Sequence, residues 1–201
     1  MIGVPITSTA GPLVAMVGGG QLARMTHQAA IALGQTLRVL AVDADDPAAQ
    51  VTPDVVFGSH TDLDDLRRVA AGAHALTFDH EHVPTELLEK LVAEGVAVLP
   101  PPQALVHAQD KLVMRQRLDA LGIPVPAYVG VDTVEALSTI DALAEQVGGP
   151  LVVKAVRGGY DGRGVQLVDD AVHAREIAHK YLLSGMPVLV EERVDMRREL
   201  S

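Results

Sequence analysis

The chain has 201 residues, 48% of them hydrophobic, enough for a substantial buried core and more than one small domain needs. With 26 acidic against 16 basic residues and a formal net charge of -10, a polyanion such as nucleic acid or an acidic membrane surface is excluded as the main partner, while local phosphate ligands are not. The absence of cysteine excludes disulfides, thiolate metal sites and thiol nucleophiles. An aromatic content of 2% without tryptophan leaves a core of Ala, Val and Leu, which favours a helix-covered parallel sheet over a β-sandwich.

Residues 1–12 have neither a basic start nor a long apolar run, so they read as a flexible leader of a cytoplasmic protein and not as a signal peptide or membrane anchor. The apolar run 13–17 ends at Gly18, Gly19 and Gly20, and a helical pattern follows from Gln21 to about Leu33, giving strand, glycine turn and helix. A strand over 37–42, a third candidate at 55–57, a helix over 62–71, a strand over 75–78, a helix over 85–93 and a strand over 97–99 continue the alternation. That alternation predicts a Rossmann-like parallel-sheet domain over 13–107. Pro100, Pro101 and Pro102 cannot continue a central strand and mark a boundary before a helix over 108–121. A helix over 134–147, strands over 151–156 and 165–168, a helix over 171–183 and a strand over 188–192 then predict an α+β domain over 108–201.

Two glycine clusters carry the chemistry. Gly18-Gly19-Gly20-Gln21-Leu22-Ala23 fits a dinucleotide-binding turn with Asp43 25 residues beyond Gly18, but favours more generally a phosphate held by backbone N–H groups at a helix start, with a tight turn without ligand as the alternative. Gly158-Gly159-Tyr160-Asp161-Gly162-Arg163-Gly164 has four glycines in seven residues, more than a hairpin requires, with Lys154 on the strand that enters it. Such a loop can fold over a polyphosphate while Arg163 and Lys154 supply positive charge to a transferring phosphoryl group. No Gly-Lys-Ser/Thr follows, so it is not a Walker A loop. A lysine in an otherwise apolar strand needs an anionic partner.

Glu191, Glu192, Arg193 and Val194 at a strand end, with Glu199 further on, offer carboxylates to ribose hydroxyls and main-chain groups to an adenine edge, or are simply a solvated strand end. Asp79-His80-Glu81-His82 invites a metal reading, but adjacent side chains alternate, which favours a polar contact surface at the carboxyl edge of the sheet.

Taken together, Gly-Gly-Gly-Gln-Leu-Ala-Arg-Met at 18–25, Thr-Phe-Asp-His-Glu-His-Val at 77–83, Gln-Asp-Lys at 109–111, Gly-Gly-Tyr-Asp-Gly-Arg-Gly at 158–164 and Val-Glu-Glu at 190–192 resemble the 5-(carboxyamino)imidazole ribonucleotide synthetases, a family of ATP-grasp ligases. The resemblance implies a Rossmann-like pre-ATP-grasp domain followed by an incomplete ATP-grasp domain. It implies ATP-dependent carboxylation of aminoimidazole ribonucleotide by bicarbonate through carboxyphosphate, with ADP and phosphate released, in purine biosynthesis. Lys111 and Lys154 would contact ATP phosphates, Gly159 to Val165 would cover them, Glu191 to Val194 would hold adenine and Glu199 the ribose. Gly18, Gly19, Gly20, Gln21, Leu22, Glu81, Tyr160 and Asp161 would face the ribonucleotide, and Lys154, Tyr160, Asp161 and Arg163 would form the catalytic group.

The family also implies a homodimer and a mutase that uses the product, with neither nucleic acid nor membrane as partner. Two positions depart from its pattern. Lys111 stands where relatives often carry arginine, which keeps the charge and gives up the bidentate fork, and Val165 replaces a frequent glutamine. Family enzymes place their Mg²⁺ ligands on a segment later than Ser201, so no metal site is expected within the chain and negligible turnover is expected of it alone. Other ATP-grasp carboxylases, and an NAD-dependent oxidoreductase built on Gly18 and Asp43, are the alternatives.

Overall fold

The computed structural model describes residues 11–159 and 164–198. The chain divides into two compact units, Met1–Leu105 and Val106–Ser201.

In the first unit, β1 (Leu13–Val17), β2 (Thr36–Ala41), β3 (Asp54–Phe57) and β4 (Ala75–Phe78) form a parallel sheet in the order β3-β2-β1-β4. The register pairs Ala15 with Arg38 and Val17 with Leu40, and alternation sends each strand's residues to two apolar layers. Val17 and Leu40 pack with Leu66 and Val69 of α2 (Leu63–Ala70) and Leu88 and Leu91 of α3 (Thr85–Ala93). Met16, Leu37 and Val39 pack on the other face with Ala23 and Ala30 of α1 (Gln21–Ala32). A strand buried on both faces is apolar at every position, which is why Leu-Val-Ala-Met-Val reads as a continuous run. The expected strand at 97–99 is only a single parallel bridge between Leu76 and Val98, because the backbone turns into the prolines after Leu99.

In the second unit β5 (Tyr128–Val131), β6 (Leu151–Ala155), β7 (Val165–Val168) and β8 (Val188–Glu192) form an antiparallel sheet in the order β5-β8-β6-β7. One face, with Leu151, Val153, Val168, Val188 and Val190, is closed by Ile140 and Leu143 of α6 (Thr139–Val147) and Ala174 and Ala178 of α7 (Ala171–Leu183). Fully burying a Val, Leu or Ile here contributes about 1.5–3 kcal/mol. The opposite face carries Val152, Lys154, Val165, Leu167 and Glu191, as the pairings Val152↔Leu167, Lys154↔Val165 and Val152↔Glu191 require.

Three local expectations change. The helix expected over 108–121 is two helices, α4 (Pro102–Gln109) and α5 (Lys111–Ala120), broken at Asp110, whose extended backbone and side chain cap Val113 N at 2.9 Å. The helix expected from 134 opens as a 3₁₀ turn at Glu135–Ser138 before α6. β5 has no counterpart in the sequence pattern: it is four residues long and carries Gly130, where a Cβ would lie 2.5 Å from Cδ2 of Leu112 on α5. The glycine weakens the strand signal and admits the helix.

Candidate functional site

At the carboxyl edge of the parallel sheet, Gly18 leaves β1 at a φ of 136°, donates its N–H to Leu40 O at 3.1 Å, and passes the chain to Gly19 and to Gly20, the N-cap of α1. Neither a capping side chain nor an acidic residue stands in that helix's own first turn. The carboxylate of Asp79, from the loop after β4, takes the place and accepts Ala23 N–H at 3.0 Å. Asp46, after β2, accepts Val42 N–H at 2.9 Å and Asp43 N–H at 3.1 Å, and Gly19 O accepts Ala48 N–H at 2.8 Å. Loops after three strands thus fix the turn. Among the described residues the N–H groups of Gly20, Gln21 and Leu22 have no protein acceptor, and Leu22 is exposed. Asp43 binds its own loop, at Asp45 N–H.

Glu81 sits half-buried in the loop that carries Asp79, at the same sheet edge as Gly18 to Leu22. Around it the imidazoles of His60, His80 and His82 cluster, with ring centroids 5.0 Å (His60 to His80), 5.3 Å (His80 to His82) and 6.4 Å (His60 to His82) apart. Burial pushes His60 and His80 below the ordinary histidine range. His82 adds to this for His60; for His80, Asp79 and Glu81 oppose it while His60 and His82 reinforce it. No group of three or more His, Asp or Glu among the described residues is arranged to hold a metal ion.

The second unit has an open cleft of about 820 Å³, within the range of small-molecule sites, on the sheet face that α6 and α7 leave uncovered. Val152, Val165, Leu167, Val194 and Met196 give it apolar walls. Its floor is ionic. Glu191, at 2% side-chain exposure, accepts from Lys154 Nζ on one carboxylate oxygen and from Arg115 Nε of α5 on the other. The partner that the Lys154 position demands is therefore Glu191, and the Glu191 carboxylate is turned into the cleft floor and not into solvent. Glu192, its neighbour, is exposed and also lines the cleft. After Arg193, whose N–H donates to Pro150 O at 3.0 Å, the chain leaves the sheet, and residues 194–196 supply the cleft rim.

Lys111, the first residue of α5, stands at the entry to the second glycine cluster and donates from Nζ to Gly158 O at 2.6 Å. Its N–H donates to Val156 O at 3.0 Å, and Asp110 pairs with Arg157 at 3.1 Å, so the start of α5 is stitched to the strand exit that leads into the loop. At the far side Gly164 O accepts Ala155 N–H at 3.0 Å, which brings the loop's end back beside its beginning at Gly159. Tyr160, Asp161, Gly162, Arg163 and Glu199 lie outside the described residues. Sequence reading places Asp79 in a polar run at the sheet edge and Asp110 within the family pattern without giving either its capping role, and it misses Arg115.

A parallel α/β unit with a glycine turn, followed by an antiparallel sheet bearing a lysine, a glycine loop and an acidic strand end over a cleft, is the arrangement of the ATP-grasp ligases. Residues 13–109 match the profile of the ribonucleotide synthetase preATP-grasp domain and residues 116–201 that of the ATP-grasp domain. The N5-carboxyaminoimidazole ribonucleotide synthase of Mycobacterium leprae is 72% identical over all of this chain and 47% of its own length. The Staphylococcus aureus N5-carboxyaminoimidazole synthetase complexed with ADP superposes with a TM-score of 0.81 at 26% identity, over 93% of this chain and 48% of that one. The Aspergillus clavatus enzyme, complexed with ADP and 5-aminoimidazole ribonucleotide, does so with 0.78 at 27%, over 94% and 48%. The chain is similar over nearly all of its length to the N5-carboxyaminoimidazole ribonucleotide synthases and spans about half the length of the curated relatives it matches. No helix among the described residues is long and apolar enough to cross a membrane.

Proposed function

We propose that the chain binds ATP in the cleft of the second unit and the ribonucleotide at the glycine turn of the first, in the carboxylation of 5-aminoimidazole ribonucleotide by bicarbonate. In that reaction a bicarbonate oxygen attacks the γ-phosphorus of ATP and ADP leaves. The exocyclic amine of the ribonucleotide then bonds to the carboxyl carbon of carboxyphosphate as its C–O bond to phosphate breaks and phosphate departs.

The observation that carries the reading is the apolar cleft whose floor is the buried Glu191 carboxylate held between the half-buried Lys154 and Arg115. Apolar walls suit an adenine ring, and irregular backbone beside Val194 offers the N–H and C=O groups an adenine edge needs. Lys154 uses one of its three donors on Glu191 and keeps two for a phosphate oxygen. Lys111, at the glycine loop, is within the same unit and supplies a second positive charge; Tyr160, Asp161 and Arg163 of the loop complete the proposed catalytic group, and Glu192, Arg193, Val194 and Glu199 the nucleoside side. Gly20, Gln21 and Leu22 present three N–H groups at the positive end of α1 to the ribonucleotide phosphate, with Glu81 at the same sheet edge. Mg²⁺ bound to ATP, a homodimer, and a mutase that consumes the product belong to this reading through the family.

Thermal denaturation of the chain with each ligand tests it. ATP or ADP, and separately 5-aminoimidazole ribonucleotide, are expected to raise the melting temperature in a concentration-dependent way. A shift with NADH and none with the adenine nucleotides would replace this reading by the dinucleotide one.

A further inference from the structure

We propose that Arg115 is a positioning residue of the nucleotide cleft: by neutralising Glu191 from the α5 side, it leaves Lys154 with a surplus charge to offer a phosphate. The inference rests on the reading of the cleft as the ATP site and adds a residue that takes no part in that reading's ligand contacts.

Glu191 has two oxygens and two cations. Arg115 Nε holds Oε1 and Lys154 Nζ holds Oε2, with side-chain exposures of 18% for Arg115, 23% for Lys154 and 2% for Glu191. A carboxylate this deep must be paired, since an isolated buried charge costs several kcal/mol. One cation would suffice for neutrality. With two, the cluster carries a net charge of +1 facing the cleft, the sign an anionic ligand requires.

Without Arg115 the pair Lys154–Glu191 would be neutral, and Lys154 alone would satisfy the carboxylate. Arg115 therefore determines whether the lysine is a structural counter-ion or a ligand. The geometry supports such a role. Leu112, one turn earlier on α5, packs onto Gly130 of β5, which fixes the helix over the cleft face at the edge of β8 where Glu191 lies. The Arg115 charge also reaches Tyr128, directly across from Glu191, where it opposes the upward push that burial and Asp119 give the phenol.

Two measurements on the intact chain test this. First, labelling of the Lys154 amine by an acylating reagent at fixed pH, read by peptide mass, needs no nucleotide. In Arg115→Met the reaction at Lys154 is expected to slow by about threefold or more, because the whole carboxylate charge then acts on one ammonium, while Arg115→Lys recovers most of the wild-type rate. Second, ADP titration is expected to weaken by about tenfold in Arg115→Met and to be largely restored in Arg115→Lys. A labelling rate at Lys154 that is unchanged or faster in Arg115→Met overturns the proposal, as does an Arg115→Lys chain as impaired as Arg115→Met, which would mean that shape and not charge is at stake. If neither wild type nor variants bind ADP while the labelling pattern holds, the ATP reading fails and the coupling of Arg115 to Lys154 stands.

Discussion

Gly18 and Asp79 are fitted to each other without a spare atom: a Cβ on Gly18 would lie 1.8 Å from Oδ1 of Asp79, and the backbone there has a φ of 136°, a region that only glycine adopts without strain. Gly18→Ala is therefore expected to destabilise the first unit by about 3 kcal/mol. At Gly20, with φ near -77° and nothing closer than 3.9 Å to the added carbon, alanine is expected to cost under about 1 kcal/mol. Denaturant unfolding of the two variants checks the contrast, and equal losses would dissociate the glycine from the carboxylate.

Asp79 in turn stands in for the N-cap that α1 lacks. Removing its carboxylate in Asp79→Ala leaves Ala23 N–H and the positive helix end without their partner, an expected loss of about 1 kcal/mol that should shrink as salt is raised. A salt-independent loss would point to packing in place of charge.

What the sequence makes legible follows range. The β-α alternation, the glycine turn and the glycine loop are local, and the fold class and the family resemblance follow from them. Partnerships across long separations carry no local mark. Glu191 meets Lys154 over 37 positions and Arg115 over 76, and Asp79 caps a helix 56 positions earlier. A carboxylate at a strand end reads as solvated until the helix that covers it is in place. β5 hides for the complementary reason: four residues with a central glycine are too short and too weakly β-forming to stand out, and the glycine is there for Leu112.

That last contact is testable by a double-mutant cycle. Gly130→Ala pushes into Cδ2 of Leu112 and is expected to cost about 1–2 kcal/mol, part of which Leu112→Ala should recover in the double variant. Additive losses would show that α5 does not press on the strand there.

Acid sensitivity is expected from the histidine cluster. Burial lowers His60 and His80 below the ordinary value of 6.5, so just below that pH the unfolded chain holds more protons than the folded one. Stability present above about pH 6.5 is then lost as pH falls through the window down to the lowered folded values. His173, raised by Asp170, has the opposite sign: its contribution is present at lower pH and is lost as pH rises through its raised value. Melting temperatures between pH 5 and 8 should therefore fall toward acid less steeply in His80→Gln than in wild type. An unaltered slope in that variant would remove the cluster from the explanation.

The most severe single change is expected at Glu191. Glu191→Ala leaves Arg115 and Lys154 facing each other, mostly buried, with no anion between them, and cations stranded in this way cost about 3–5 kcal/mol. Glu191→Gln keeps the shape and an acceptor oxygen and should lose less. The two variants should also differ in what rescues them. If the damage is mutual repulsion, adding Lys154→Met to Glu191→Ala removes one of the stranded charges and should restore part of the stability, even though it deletes a second native group. Chemical denaturation of the single and double variants decides the matter: a double variant less stable than Glu191→Ala would mean that the floor of the cleft is held by packing, and that its charges are there for the ligand alone.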